Sequence, residues 1–242
     1  MNRDRGREVS RIRSVYARRA QDGLDRRYIL FEPAHLFQTQ SLERALLLAL
    51  RREGYGSLAG LRILDVGCGG GSWLSGLARY GAELSLLCGI DLRHAALPRS
   101  AAAINVVAAS ADSLPFPSER FDIVCQLTMM SSVLDPGMRR TIVSEMLRVV
   151  RPGGILLWYD FTVNPFNRDV AGIRHGELCG LFQGAVVNAS RVTLAPPLTR
   201  LLAPRAWLAC EILAAIPWLR THLFATVRRP ESPRGETPRN SD

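Results

Sequence analysis

The stretch Ile63-Leu64-Asp65-Val66-Gly67-Cys68-Gly69-Gly70-Gly71-Ser72-Trp73-Leu74 decides the fold of this 242-residue chain. An apolar run enters a turn made almost entirely of glycine, and a helical pattern follows. A turn without side chains lets the backbone approach a bound ligand closely. The pattern therefore predicts a buried strand, a ligand-binding turn and a helix.

The composition of this turn separates the ligands that such turns bind, which are mononucleotides, dinucleotides and S-adenosylmethionine. A phosphate-binding P-loop requires lysine, but all 31 basic residues of the chain are arginine. A dinucleotide fingerprint would use Gly67 and Gly69 but would place Ser72 where a third glycine usually stands. Asp65 would repel a pyrophosphate, whereas it suits the ammonium group of S-adenosylmethionine.

Short apolar runs and helical patterns alternate along the chain. The predicted strands are Leu61–Val66, Leu84–Ile90, Ile104–Ala109, Phe121–Leu127, Ile155–Phe161, Ala185–Leu194 and Leu219–Arg228. The predicted helices are Ser41–Glu53, Ser72–Tyr80, Leu92–Ser100, Met138–Val150 (ended by Arg151-Pro152-Gly153-Gly154) and Leu198–Ile216. This alternation predicts an α/β fold, a Rossmann-like doubly wound and mostly parallel sheet.

Two further acids follow predicted strands. Asp91 lies about twenty residues beyond the glycines, the separation at which an acid accepts hydrogen bonds from ribose hydroxyls. Asp112 follows the third strand and is able to accept a hydrogen bond from an adenine amino group. The alternative is a proline-rich turn in which Asp112 caps a helix.

Five motifs occur in order over residues 61–161. They are DVGCGGG at 65–71, the strand-end Asp91, ADSLPFP at 111–117, FDIV at 121–124 and LRVVRPGG at 147–154. Together they resemble the class I S-adenosylmethionine-dependent methyltransferases, in particular the methyltransferase type 11 group. That group includes ubiquinone and menaquinone biosynthesis enzymes and many sugar and natural-product methyltransferases.

The resemblance implies a set of donor-binding residues and a seven-stranded sheet whose last strand, Leu219–Arg228, is antiparallel. The implied methionine-binding residues are Asp65, Gly67, Cys68, Gly69 and Gly71; Asp91 and Leu92 would hold the ribose, Ala111, Asp112 and Ser113 the adenine, and Gln126 would lie near the methyl group. Tyr16 and Arg19 are expected to reach the donor's carboxylate if the first helix folds over the turn. The alternative for that helix is an exposed basic surface.

Transfer of a methyl group to a hydroxyl requires an aligned acceptor and a base, and the product would be S-adenosylhomocysteine. The candidate bases are His35, Asp160 and His175; a solvated surface histidine is the alternative for both imidazoles. The flanks, such as 194–198, resemble enzymes of bacterial polysaccharide and secondary-metabolite clusters. The predicted acceptor is therefore a small molecule or glycan, most simply a sugar hydroxyl. The alternatives are a C- or O-methylated quinone or polyketide and an RNA.

The composition of the chain limits its expected binding partners and its expected cellular compartment. The net charge of +9 is typical of proteins that bind nucleic acid. The sequence has no stripe of interleaved aromatic and basic residues, so a nucleic-acid partner is not favoured. The five cysteines include no CxxC pair, which predicts neither disulfides nor a metal site and favours a reducing compartment. With no secretory signal pattern, the expected location is cytoplasmic.

The expected organisation is an N-terminal helical cover over 1–54, a methyltransferase domain over 55–228 and a disordered tail over 229–242. Residues 196–220 are apolar, and Trp207 and Trp218 stand near Arg205 and Arg220. This pattern is compatible with peripheral contact with a membrane surface. The alternative is a core helix packed on the sheet. The expected oligomeric state is a monomer or a homodimer.

Overall fold

The computed structural model describes residues 2–22, 29–93, 104–164 and 167–231. Its α-helices are α1 (Asn2–Gln21), α2 (Pro33–Arg52), α3 (Ser72–Leu77), α4 (Pro136–Val149), α5 (His175–Leu181), α6 (Pro196–Leu202) and α7 (Trp207–Ala214). Its strands are β1 (Ile63–Val66), β2 (Leu87–Asp91), β3 (Asn105–Ala108), β4 (Phe121–Leu127), β5 (Val150–Phe161), β6 (Val186–Leu194) and β7 (Arg220–Arg228).

The strands form one sheet in the order β3-β2-β1-β4-β5-β7-β6. The first five run parallel, and β7 is antiparallel to both β5 and β6. The predicted α/β sheet with an antiparallel last strand is confirmed. Because β7 runs in the opposite direction, its first residues lie at the same edge as the carboxyl ends of β1 to β5.

Both faces of the sheet are buried, which explains why its central strands lack alternation between apolar and polar residues. Leu156 and Trp158 of β5 pack into one apolar core, and Ile155 and Leu157 pack into the other. Helices α1 and α4 contribute to the first core, and α2 and α3 contribute to the second. All four residues of β1 are buried, so the glycine turn begins in the centre of the fold.

The structure corrects two predicted helices. Helix α2 begins at Pro33, eight residues before the predicted start at Ser41, because proline is well suited to the first turn of a helix. The predicted helix Leu198–Ile216 is divided into α6 and α7. Residues 94–103, which contain most of the predicted helix Leu92–Ser100, lie outside the described residues, as do residues 232–242 of the predicted tail.

The segment Arg151-Pro152-Gly153-Gly154 does not lie between a helix and a strand, as predicted, but inside β5. Helix α4 has already ended at Val149. Gly153 donates a backbone hydrogen bond to the Arg229 carbonyl (3.0 Å), and Arg229 donates one to the Gly154 carbonyl (2.9 Å). The sequence signal for a helix stop was therefore genuine, but the same residues also pair with the chain that follows β7.

Gly154 offers a test of this packing. A Cβ atom there would lie 2.8 Å from both the Asp122 carbonyl oxygen and Val150 Cγ2. We expect Gly154→Ala to lower the free energy of unfolding by about 1–3 kcal/mol, the usual effect of overpacking. The measurement is urea unfolding. Gly176→Ala is the matched control, because no atom lies within 4 Å of its added Cβ; an equal loss in both variants would contradict the packing argument.

Candidate functional site

A cavity of about 1060 Å³ lies at the edge of the sheet where the parallel strands end. Its lining includes Asp65, Asp91, Leu127 and Phe161 from the strand ends, and Tyr16, Arg19, His35 and Gln38 from α1 and α2. Open α/β sheets bind their ligands at this edge. The cavity is therefore the candidate active site.

The glycine turn between β1 and α3 has a backbone that other residues would not tolerate. Gly67 has φ +83°, and a Cβ atom there would lie 2.6 Å from Cβ of Met129. Gly69 and Gly71 also have positive φ values, +53° and +71°. The backbone N–H groups of Gly67 and Cys68 both donate to the Ile90 carbonyl, which fixes the turn against the end of β2.

Asp65 lies in β1 directly before the turn and is only 2% exposed. Its Oδ1 atom is buried and has no hydrogen-bond partner among the residues that the structure describes. Burial, and to a lesser extent the neighbouring Asp91 carboxylate, raises the pKa of Asp65 to about 7. A cationic ligand beside Asp65 would supply both the missing hydrogen bond and the missing charge.

Asp91, at the end of β2, also shapes the turn. Its Oδ2 atom accepts a hydrogen bond from the Gly69 backbone N–H (3.0 Å), and its Oδ1 atom accepts one from the Arg93 backbone N–H (2.9 Å). A carboxylate has about four acceptor positions, so these bonds leave room for ribose hydroxyls. Asp91 and Leu92 both line the cavity, as the predicted ribose contact requires.

The predicted adenine-binding residues are only partly exposed to the cavity. Ala111 lines it, whereas Asp112 forms an ion pair with Arg5 of α1 and accepts a hydrogen bond from Ser110 Oγ. Ser113 is exposed and is not a lining residue. The adenine contact of Asp112 and Ser113 stays a prediction. The ion pair between Asp112 and Arg5 was not predicted from the sequence.

Helix α1 covers the turn, and its predicted residues Tyr16 and Arg19 both line the cavity. The Tyr16 hydroxyl lies 3.0 Å from Ser132 Oγ. The guanidinium groups of Arg93 and Arg19 lie over the Tyr16 ring, at 4.4 and 5.1 Å from its centroid. Arg19 Nη2 is buried without a partner among the described residues, so it remains available to a carboxylate.

Residues 64–158 match a family model described as "Methyltransferase domain". This segment of the chain is therefore similar to a methyltransferase domain. The chain is 40% identical over 118 residues to the ubiquinone biosynthesis O-methyltransferase of Alkalilimnicola ehrlichii, covering 46% of this chain and 45% of that protein. It is 34% identical over 122 residues to the corresponding Neisseria meningitidis protein, covering 47% and 49%. The chain spans about half the length of the curated relatives it matches.

Solved structures extend this similarity at the level of the fold. The 1,6-didemethyltoxoflavin-N1-methyltransferase of Burkholderia thailandensis has a TM-score of 0.62 and 18% identity, covering 92% of this chain and 88% of that chain. An S-adenosylmethionine-dependent methyltransferase from Mesorhizobium loti has a TM-score of 0.53 and 21% identity, covering 76% and 98%. The Rossmann-like fold is thereby confirmed.

Two predicted site residues bind backbone groups and do not line the cavity. Gln126 is fully buried, and its Oε1 atom accepts hydrogen bonds from the Met129 and Met130 N–H groups, each at 3.2 Å. Asp160, a predicted base, accepts hydrogen bonds from the Ser131 and Phe161 N–H groups at 2.9 and 2.8 Å. Burial raises the pKa of Asp160 to about 6. The structure therefore gives both side chains a positioning role at the loop after β4.

The two candidate histidines differ in their position relative to the cavity. His35 is partly buried and lines the cavity, and burial lowers its pKa below 6.5. His175 is exposed at the start of α5, where its ring lies 3.8 Å from Cys179 Sγ, and it is not a lining residue. The structure thus supports His35 as a cavity residue and does not bring His175 to the cavity.

His222 was not among the predicted site residues. It is 3% exposed, lines the cavity and stacks on Tyr159, with ring centroids 4.8 Å apart. Phe161 contacts it from another side at 4.1 Å. Burial lowers the pKa of His222 to about 3, so its imidazole is neutral at physiological pH.

The buried carboxylate of Asp65 predicts a pH-dependent stability. The folded protein keeps Asp65 protonated up to a pH of about 7, whereas the unfolded chain releases that proton near pH 3.8, so the stability due to this group falls as the pH rises between these values. We expect the ligand-free Asp65→Asn variant to lack this fall and to be more stable than the original protein at pH 8, by on the order of 1–4 kcal/mol.

Urea unfolding at pH 5 and pH 8 measures the effect as the difference between variant and original protein. Asp4→Asn, at an exposed position of α1, is the matched control and should leave the difference between the two pH values unchanged. The same pH dependence in Asp65→Asn and in the original protein would contradict the buried, unpaired state of Asp65.

Proposed function

We propose that the protein is an S-adenosylmethionine-dependent methyltransferase that methylates a hydroxyl group on a planar aromatic acceptor of the phenol or quinol type. One observation carries the donor assignment. Two buried polar atoms, Asp65 Oδ1 and Arg19 Nη2, lack partners among the described residues, and both residues line one cavity beside the glycine turn. A free amino acid group offers the ammonium and the carboxylate that would satisfy them.

The order of the strands supports a position for the rest of the donor. Asp65 lies at the end of β1 and Asp91 at the end of β2, the neighbouring strand. An amino acid group at β1 therefore directs an attached nucleoside toward β2, where Asp91 and Ala111 line the cavity. S-adenosylmethionine has this arrangement of groups. A pyrophosphate in the same place would lie against Asp65 and be repelled.

The cavity extends well beyond the donor region. It is lined from Asp91 on β2 to His222 on β7, and the strand order between them is β2-β1-β4-β5-β7. Four strand spacings correspond to roughly 19 Å. The donor residues occupy the β2 and β1 side, so the acceptor is expected on the side of β4, β5 and β7.

The lining of the acceptor side favours a planar, apolar molecule over a sugar. It includes the apolar residues Leu127, Phe161, Val163, Pro196 and Pro197, together with polar ones such as Asn164 and Thr221. A sugar carries hydroxyl groups on every side, and those that face the apolar part of the lining would lack hydrogen-bond partners. The names of the curated relatives agree, since they are ubiquinone biosynthesis O-methyltransferases. The quinone-type alternative thus replaces the sugar hydroxyl as the proposed acceptor.

The residues on the acceptor side suggest how the hydroxyl is prepared. When bound, S-adenosylmethionine supplies a methyl group already activated by its sulfonium, so the protein has to orient the acceptor and remove its proton. His222 is neutral and fixed by stacking, which suits it to orient the hydroxyl through a hydrogen bond. His35 lines the same cavity, and because burial lowers its pKa it is the proposed acceptor of the proton.

Donor binding is tested with two ligands that differ only at the amino acid end. We expect Asp65→Asn and Arg19→Met each to weaken the binding of S-adenosylhomocysteine by about tenfold or more, the effect of losing one charge-assisted contact. Both variants should bind 5′-methylthioadenosine as the original protein does, because this ligand lacks the ammonium and the carboxylate. Isothermal titration calorimetry measures both affinities. The control is Arg13→Met, at an exposed position of α1.

An equal loss of both ligands in either variant would show that the residue does not contact the amino acid end. No binding of S-adenosylhomocysteine to the original protein, together with binding of NAD, would overturn the proposed function.

The acceptor is tested with labelled donor and three probes: catechol, hydroquinone and glucose. We expect methyl transfer to the two phenols and none to glucose. His35→Gln should lower kcat by about 100-fold, the usual effect of losing a general base, while S-adenosylhomocysteine affinity stays the same. His175→Gln is the matched control, because His175 is exposed and outside the cavity lining. Transfer to glucose alone would restore the sugar hydroxyl, and equal rates for both variants would remove His35 as the base.

A further inference from the structure

Six large apolar side chains project into solvent from the segment before α2, from α6 and α7, and from the turn before β7. We define them as the apolar rim: Leu30 (54% exposed), Phe31 (96%), Leu201 (65%), Leu208 (71%), Ile212 (61%) and Trp218 (78%). Single exposed apolar residues need no explanation, but a group of them around one region marks an interaction surface.

The elements that carry the apolar rim are in direct contact with one another. Gln38 of α2 donates a hydrogen bond to Thr199 Oγ1 of α6 (2.8 Å), and the rings of Phe37 and Trp207 meet edge to face at 5.2 Å. The start of α2, which follows Phe31, is thereby joined to α6 and α7. The rim residues come from neighbouring elements and not from distant parts of the surface.

The buried side of these helices is already satisfied, so the outward residues are not explained by the core. Phe37, Leu194, Ala203 and Cys210 form a small apolar core beneath α6 and α7. Leu208 and Ile212 are four residues apart, which places them on one face of α7, and Cys210 points to the buried side. Helix α7 therefore has two apolar faces, although only one is covered.

The charges around the apolar rim are cationic. Between residues 196 and 220 the only acid is Glu211, and it pairs with Arg44 of α2 at 3.6 Å. Arg200 and Arg205 are exposed and form no ion pair with any residue that the structure describes. The surface thus combines apolar side chains with two arginines whose charges are not neutralised.

The apolar rim also borders the opening of the cavity. Leu30 is both a rim residue and a cavity-lining residue, and Pro197 and Arg200 of α6 line the cavity from the other side. A molecule that covers the rim would therefore stand at the entrance to the acceptor side. Among the described residues no helix is long and apolar enough to cross a bilayer.

We propose that the apolar rim docks the protein on the surface of an anionic phospholipid membrane. The rim side chains would enter the boundary between headgroups and acyl chains, where tryptophan is favoured, and Arg200 and Arg205 would contact lipid phosphates. Charge complementarity selects this occupant over a second copy of the chain. A symmetric dimer through the rim would bring Arg200 and Arg205 of both copies together without acids to neutralise them.

The test is co-sedimentation of the full chain with vesicles, and it requires no donor or acceptor. We expect binding to vesicles of phosphatidylcholine with about one-third phosphatidylglycerol, weaker binding to pure phosphatidylcholine, and a further loss at high salt. The double variant Leu208→Ser/Ile212→Ser and the single variant Phe31→Ser should each lower the vesicle affinity by about tenfold or more. Arg200→Gln/Arg205→Gln should abolish the preference for the anionic vesicles.

Val186→Ser is the matched control, because Val186 is 69% exposed but lies on the edge strand β6 and outside the rim. Thermal unfolding and S-adenosylhomocysteine binding show for each variant that the fold and the donor site are intact. The proposal is overturned if the original protein does not sediment with anionic vesicles, or if the rim variants bind them as it does. It is equally overturned if sedimentation equilibrium shows a dimer that the rim variants dissociate. Each of these outcomes is independent of whether the protein methylates a phenol.

Discussion

The binding site depends on the carboxyl group of Asp65, which is buried without a cationic partner among the described residues. Asp65 stands at the centre of the sheet, 2% exposed, and its Oδ1 atom has no partner among the described residues. Removing an ion from water without compensation costs a large amount of free energy. This cost raises the pKa of Asp65 to about 7. A residue chosen for stability alone would be apolar at this position. Its persistence is understandable if the fold is completed by a cationic ligand.

The other polar groups at this edge make such a site possible by holding the backbone around it. Asp91 holds Gly69 and Arg93, while Gln126 and Asp160 bind the N–H groups that follow β4. Each of these side chains is buried, and each satisfies donors that the bends of the chain leave free. The edge therefore contains residues that shape the loops and residues, such as Asp65 and Arg19, that keep a buried polar atom unsatisfied. Gln126 does both, because its Nε2 atom is also buried without a partner among the described residues.

Structural features that are encoded within a few neighbouring residues could be predicted from the sequence. Features that depend on contacts between distant segments could not. The strands, the glycine turn and the strand-end acids Asp65 and Asp91 were predictable because each is encoded within a few residues. The inner face of α1 was less certain: Arg5, Tyr16 and Arg19 resemble an exposed basic helix until Asp112 and the turn are placed beneath them. His222 was not predicted as a site residue, although the predicted antiparallel direction of the last strand brings the start of that strand to the ligand-binding edge. Gln126 and Asp160 were placed at the right edge, but no pattern distinguishes a side chain that faces a cavity from one that holds its loop.

The acceptor side of the cavity and the apolar rim are both explained by an apolar acceptor that is dissolved in a membrane. An apolar aromatic acceptor is concentrated in a membrane and is scarce in water, so an enzyme in free solution would seldom meet it. The cavity side lined by Phe161, Val163 and Pro197 opens beside Leu30, which belongs to the rim. If the rim rests on lipid, the acceptor would pass from the apolar membrane to the apolar part of the cavity without exposing its ring to water. A sugar acceptor would gain nothing from this arrangement, because it is already dissolved in water. The position of the apolar surface is therefore an argument about the substrate as well as about the membrane.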